Sequence, residues 1–124
     1  MSFLKMLFNN NKANPYYVKL RKCLKRKHIE KDIATAYFLF GIPHSANNLE
    51  IIKKAIAENK LDEVRQNISY NVQVDNIELY LIEYSNTDKY ILLLLDPYEI
   101  YTREDILEII PVSNTNFKKE IIYP

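Results

Sequence analysis

Apolar residues change their spacing partway along this chain. Up to about position 66 they recur every three or four residues, and from Ile68 onward they alternate with polar ones. The first spacing belongs to helices and the second to half-buried strands. Asn14-Pro15 supplies a helix start, with Asn as cap and Pro at the first helical position, and Gly41 followed by Pro43 supplies a stop. Between them Tyr17, Leu20 and Leu24 define one apolar face, while Ile29, Ile33, Ala36, Tyr37 and Phe40 define nearly the opposite one. One uniform helix cannot present both to a single core, so the pattern predicts helix over about 15–40 with a break near 28. Asn47 with Glu50 resembles a capping box ahead of Leu49, Ile52, Ala55 and Ile56, which predicts a second helix over 47–58. Leu61 to Gln66 adds a short helical turn, and the Ser45 hydroxyl serves the helix entrance.

The alternating half predicts strands at about 68–74, 77–84, 89–95, 106–112 and 117–123. The expected fold is a single α+β domain over 1–124, with N-terminal helices packed on a C-terminal, mostly antiparallel sheet. A tight turn at Asp75-Asn76 pairs Val74 with Ile77, Val72 with Leu79 and Tyr70 with Leu81. A four-residue turn over Ser85 to Asp88 sets Ile82 opposite Ile91, Tyr80 opposite Leu93 and Glu78 opposite Leu95. Residues 106–112 and 117–123 read as a hairpin across Ser113 to Asn116, although Thr102 and Asp105 also offer caps for a short helix. Strand 89–95 is apolar on both faces, so both need covering. The helices cover one. The other, with Tyr80, Ile82, Tyr84, Ile91 and Leu93, is expected to be covered by Phe3, Leu4, Leu7 and Phe8 or by the C-terminal segment, a second protein chain being the alternative.

Composition narrows the class. At 124 residues, 48% of them apolar, the chain can bury a core without staples. Cys23 stands alone and forms no internal disulfide, which suits a reducing compartment or a protein indifferent to oxidation, and a cytoplasmic location is expected. The longest aliphatic run, Ile91 to Leu95, falls far short of the roughly 20 apolar residues that span a bilayer, so no membrane partner is expected. Ser2 to Phe8 has too short an apolar run and no small-residue cleavage site, a poor secretion signal. A single glycine, Gly41, excludes the glycine-rich cradles of nucleotide-binding motifs, and no cofactor is expected.

The formal net charge of +1 conceals two unlike halves. Nine basic and two acidic residues fall in positions 1–45, against eight basic and fourteen acidic residues after them. Segregated charge steers charged macromolecules. Lys19, Lys22, Lys25 and Arg26 lead a basic stretch, 19–31, that reads as a solvated helix face or as a contact for nucleic-acid phosphates. Between Asp75 and Glu108 stand nine carboxylates against Lys89 and Arg103, interspersed with tyrosines. Glu78, Tyr80, Tyr84, Asp96, Tyr98, Glu99, Tyr101, Glu104 and Asp105 are the candidate protein-binding residues there, because acids with aromatic anchors suit a cationic protein. No enzymatic activity is expected. His28 and His44 serve acid-base chemistry only if the fold joins them, and His28, Asp32 and His44 outline a metal site without a defining cluster, so no metal is expected. Basic neighbours of Cys23 favour a thiolate, but a packing residue on a helix face is the plainer reading.

The stretch Asp96-Pro-Tyr-Glu-Ile-Tyr-Thr-Arg-Glu-Asp-Ile-Leu-Glu-Ile-Ile-Pro-Val112, with the chain's size and helix-then-sheet order, resembles small bacterial immunity proteins, including those of contact-dependent growth inhibition systems. The resemblance is one of profile and assigns no residue a role. It implies a non-enzymatic inhibitor that binds a cognate toxin domain and occludes its active site. The acidic half points to a basic toxin such as a nuclease.

Overall fold

A computed structural model of the chain describes residues 14–67, 75–96 and 106–124. The fold is α+β, with helices in the first half of the chain and a five-stranded antiparallel sheet. The order of elements is α1 (Pro15–Arg26), β1 (Ile33–Pro43), α2 (Ala46–Ala57), α3 (Leu61–Asn67), β2 (Asn76–Tyr84), β3 (Lys89–Asp96), β4 (Ile106–Pro111) and β5 (Glu120–Tyr123). Across the sheet the strands run β4-β3-β2-β1-β5.

Helix α1 begins where Asn14-Pro15 predicts, the Asn14 side chain accepting from the Tyr16 N–H at 2.9 Å. It ends at Arg26 in a Schellman arrangement: Ile29 N–H donates to Leu24 O and His28 N–H to Lys25 O, with His28 left-handed at φ 59°. Ile29 and Leu24 pack in the same cluster, the apolar contact that accompanies this cap. The expected break near 28 is therefore the end of the helix. The expected helix over 29–40 is instead strand β1.

Two bulges explain that correction. Pairing of β1 with β2 slips between Ile33 and Thr35 and again between Phe38 and Phe40, and each extra residue reverses which face the next side chain takes. Ala36 and Phe38 face α1, whereas Phe40 and Ile42 face α2. Apolar positions three and four apart thus arise in a strand that changes phase. The β-branched and aromatic composition of 33–42 was the better guide.

Helix α2 lies within a residue of the expected 47–58, but its cap is Ser45, whose hydroxyl accepts from Asn48 N–H at 3.0 Å, rather than Asn47. The short α3 matches the expected turn. Ile52, Ala55, Ile56 and Leu61 pack on one sheet face against Ile42, Ile77, Leu79, Leu81, Ile91 and Leu93. Leu20, Cys23 and Leu24 of α1 pack on the other, against Ala36, Tyr80, Ile82, Leu92, Leu94 and Ile122. Both sides of the sheet are thus packed by helices, α1 taking the face expected for Phe3, Leu4, Leu7 and Phe8, which lie outside the described residues, or for the C-terminal segment.

Three further expectations on the sheet are corrected. The β2–β3 hairpin is one residue tighter than a four-residue turn: Tyr84 N–H donates to Asp88 O and Thr87 N–H to Tyr84 O, leaving a three-residue loop with Thr87 left-handed at φ 75°. Tyr80 therefore faces Leu92, Ile82 faces Tyr90 and Glu78 faces Leu94. Ile91 and Leu93 join the opposite face from Tyr80 and Ile82. The expected strand 68–74 lies outside the described residues. Strand β2 has β1 and β3 as its neighbours, so Ile77, Leu79 and Leu81 pair with Ile42, Phe40 and Tyr37 rather than with partners across Asp75-Asn76. Finally, 106–111 and 120–123 do not form a hairpin but occupy opposite edges, β4 against β3 and β5 against β1. Eight connecting residues reach about 26 Å when extended, enough to cross the four strand spacings of about 19 Å. Phe117 and Val112 pack over the α2–α3 side on the way, and Lys118 N–H is held by the Asp62 carboxylate.

Candidate docking site

Lys19 projects from α1 onto the middle of the sheet. Its Nζ lies 2.9 Å from Glu78 Oε1 and 2.9 Å from Asp96 Oδ2, and the Tyr80 hydroxyl donates to the same Glu78 oxygen at 3.0 Å. The Glu78 side chain is 1% exposed and that of Lys19 16%. Gly41 sits opposite Glu78 in β1, and its missing Cβ leaves room beside the carboxylate. Burial opposes the Lys19 charge, but hydrogen bonds to Glu78 and Asp96 outweigh it and raise the pKa. Burial, then the charge of Glu78 beside it, holds the Tyr80 hydroxyl protonated well above the usual range. An aromatic chain closes the cluster: Tyr16 stacks on Phe38 at 4.2 Å, and Phe38 meets Tyr80 edge-on at 5.4 Å.

This cluster removes several residues from the expected docking set. Glu78 and Tyr80 are fully buried and hold α1 to the sheet, so neither meets a partner in the folded state. Asp96 is committed to Lys19, and Lys19 is correspondingly lost to the expected phosphate contacts. Lys22 and Lys25 are exposed on α1. Arg26 is exposed as well and donates to the buried Cys23 sulfur at 3.3 Å. Tyr98, Glu99, Tyr101, Glu104 and Asp105 lie outside the described residues. The tyrosines that are described, Tyr16, Tyr17, Tyr37, Tyr80, Tyr84, Tyr90 and Tyr123, are all buried or half-buried and serve packing first.

Tyr84 belongs to a second site. Beyond the end of α1 the sheet face opens into a cleft of about 430 Å³, floored by Ile82, Tyr84, Tyr90, Leu92 and Ile109. His28, Lys31, Asp32, Asn86 and Asp88 form its rim. The loop after α1 and the β2–β3 loop are tied together around it. Ser85 N–H and Oγ both donate to Asp32 O, at 2.8 and 3.2 Å, and the Tyr84 hydroxyl donates to Ile29 O at 2.7 Å. Tyr90 meets Tyr84 edge-on at 5.9 Å. Burial raises the Tyr84 pKa, with Tyr90 and the charge of Glu30 adding to it. Glu30 Oε2 is shut from solvent without a hydrogen-bond partner.

Charge at this rim is unspent. In the acidic stretch, Glu78 and Asp96 pair with Lys19, Glu83 with Lys89 and Glu108 with Lys53. The carboxylates of Asp32 and Asp88 have no ion-pair or hydrogen-bond partner among the described residues. Sequence reasoning named Asp32 only as a metal ligand on a helix and did not single out Asp88. The Ser85–Asp88 turn was legible, but its tie to the loop carrying Asp32, through Ser85 N–H on Asp32 O, is a contact between distant residues that no local signal marks.

His28 stands at this rim, before the start of β1, and His44 follows its end, so a strand of roughly 30 Å separates them. They form no acid-base pair, and the outlined site of His28, Asp32 and His44 is not assembled. No group of three His, Cys, Asp or Glu suited to a metal ion occurs among the described residues. Among those residues no helix is long and apolar enough to cross a membrane. Comparison with protein-family models, curated proteins and solved structures gives no match.

Proposed function

We propose that this chain is a non-enzymatic, cytoplasmic protein-binding inhibitor of the immunity type, which docks onto a basic toxin domain such as a nuclease and blocks access of its substrate. The observation that carries the reading is the cleft beside Tyr84. It joins an apolar and aromatic floor to two carboxylates, Asp32 and Asp88, that form no ion pair with any described residue. An interface uses such a floor for residence time and such charges for capture. A stable complex buries about 800 Å² per partner, so the cleft is the centre of a larger contact.

The test pairs this protein with the product of an adjacent reading frame. Coexpression is expected to relieve growth arrest by that product, and the purified pair to associate faster at low salt than at high. Asp32→Lys with Asp88→Lys slows association severalfold at low salt. Association unchanged by the double substitution rejects this surface, and an adjacent product that neither binds nor arrests growth rejects the inhibitor reading.

A further inference from the structure

The geometry points to an arginine side chain of the partner as the occupant of the cleft. The inference deepens the docking reading and rests on it for the partner, although the chemistry of the pocket can be tested alone. Three features select a guanidinium. Asp32 and Asp88 present two unpartnered carboxylates at the same opening, against one rim cation, Lys31, and the Glu30 carboxylate is near enough for its charge to act on Tyr84. Two tyrosine rings belong to the lining, and Tyr84 is fixed by its hydroxyl on Ile29 O, so a flat cation meets a pre-set surface. Ile82, Leu92 and Ile109 match the aliphatic stem that an arginine buries below its head. An ammonium fits less well, because it is compact, strongly hydrated and neither stacks nor forks.

The entrance suits a side chain carried on another polypeptide. Ile109 stands on edge strand β4 and is 38% exposed. Val112 N–H donates to Lys89 O, which fixes the phase of the β3–β4 ladder and turns the Ile109 N–H and C=O toward the edge, where no described strand pairs with β4. A segment lying along β4 therefore passes the mouth of the cleft.

The experiment titrates n-butylguanidinium, n-butylammonium and n-butylurea into the protein at low millimolar concentration, following ring signals of Tyr84 and Tyr90 and methyl signals of Leu92 and Ile109 by NMR. Butylguanidinium is expected to give saturable shifts confined to these residues, at least threefold tighter than butylammonium, with none from butylurea. Asp32→Asn and Asp88→Asn each weaken binding severalfold; Asn tolerates the left-handed backbone of Asp32 (φ 64°), so the fold is kept. Absence of saturable shifts, equal binding of butylurea, or binding unaffected by both substitutions overturns the inference. These results are independent of the coexpression test: guanidinium binding can fail while a toxin is still neutralised through another contact, and it can succeed where no toxin is found.

Discussion

Lys19 Nζ and Glu78 Oε1 lie 2.9 Å apart, joining the first helix to the central strand through a contact almost sealed from water. Removing one member leaves the other charge stranded, which costs about 3–5 kcal/mol, far more than the pair itself contributes. Lys19→Met is expected to destabilise the fold by about that amount. Glu78→Gln removes the stranded charge, keeps a hydrogen-bonding oxygen for Tyr80 and leaves Asp96 to Lys19, so it costs less. Urea denaturation of the two variants checks the order; equal losses would show that the charge of Glu78 is not what Lys19 compensates.

The same cluster sets an alkaline limit. Lys19, ordinarily titrating at 10.5, and Tyr80, ordinarily at 10.0, are both raised by the fold, and burial raises Tyr17, Tyr37 and Tyr84 as well. A group whose folded pKa lies above its unfolded one contributes its full stability below the unfolded value and loses it as the pH climbs toward the folded value. Stability is therefore expected to fall steeply above about pH 10, with little effect from these groups near neutrality. Denaturation midpoints at about pH 8 and about pH 11, read beside tyrosinate absorbance, test this. Tyrosinate from the buried rings should appear only as helix signal is lost, and complete ionisation with the fold intact would contradict it.

The hairpin loop carries a local strain that single-residue chemistry can relieve. Thr87 is β-branched yet sits at φ 75°, a conformation that costs ordinary residues about 1–2 kcal/mol. Thr87→Gly is expected to raise stability by about 1 kcal/mol, the relief being partly offset by the greater freedom of glycine in the unfolded chain. Thermal unfolding of the variant gives the sign directly. A lower midpoint would mean that the Thr87 side chain contributes more than its backbone costs.

What the sequence revealed depended on whether a local signal stood alone. Pro15 after Asn14 marked α1, and the apolar spacing from Leu49 to Ile56 marked α2, because no distant partner was needed to read either. Strand β1 was hidden because its bulges near Ala34 and Leu39 turn period two into an imitation of a helix, and because His28 takes the cap position where glycine is usual. Register in the β2–β3 hairpin was missed by one residue for want of the backbone bond from Tyr84 to Asp88, and that slip put Ile91 and Leu93 on the wrong face. At the candidate site the acids and tyrosines were recognised as residue types. Which of them Lys19 consumes, and which stay open beside Tyr84, depends on contacts between elements far apart in sequence.

Two separate cores imply two separable contributions to stability. Leu24 of α1 and Ile52 of α2 are both completely buried, yet they touch opposite faces of the sheet and belong to different clusters. Each Leu or Ile to Ala change is expected to cost about 2–5 kcal/mol, from lost transfer energy and the cavity left behind. Sheet backbone and a layer of side chains stand between the two sites, so Leu24→Ala and Ile52→Ala should add to within about 0.5 kcal/mol in the double variant. Near-equal losses that sum show that α1 stabilises the sheet as α2 does, rather than resting on it as a loose appendage. A negligible cost for Leu24→Ala would instead mean that the α1 face is held chiefly by the Lys19 cluster, and the Lys19→Met variant would then release the helix outright.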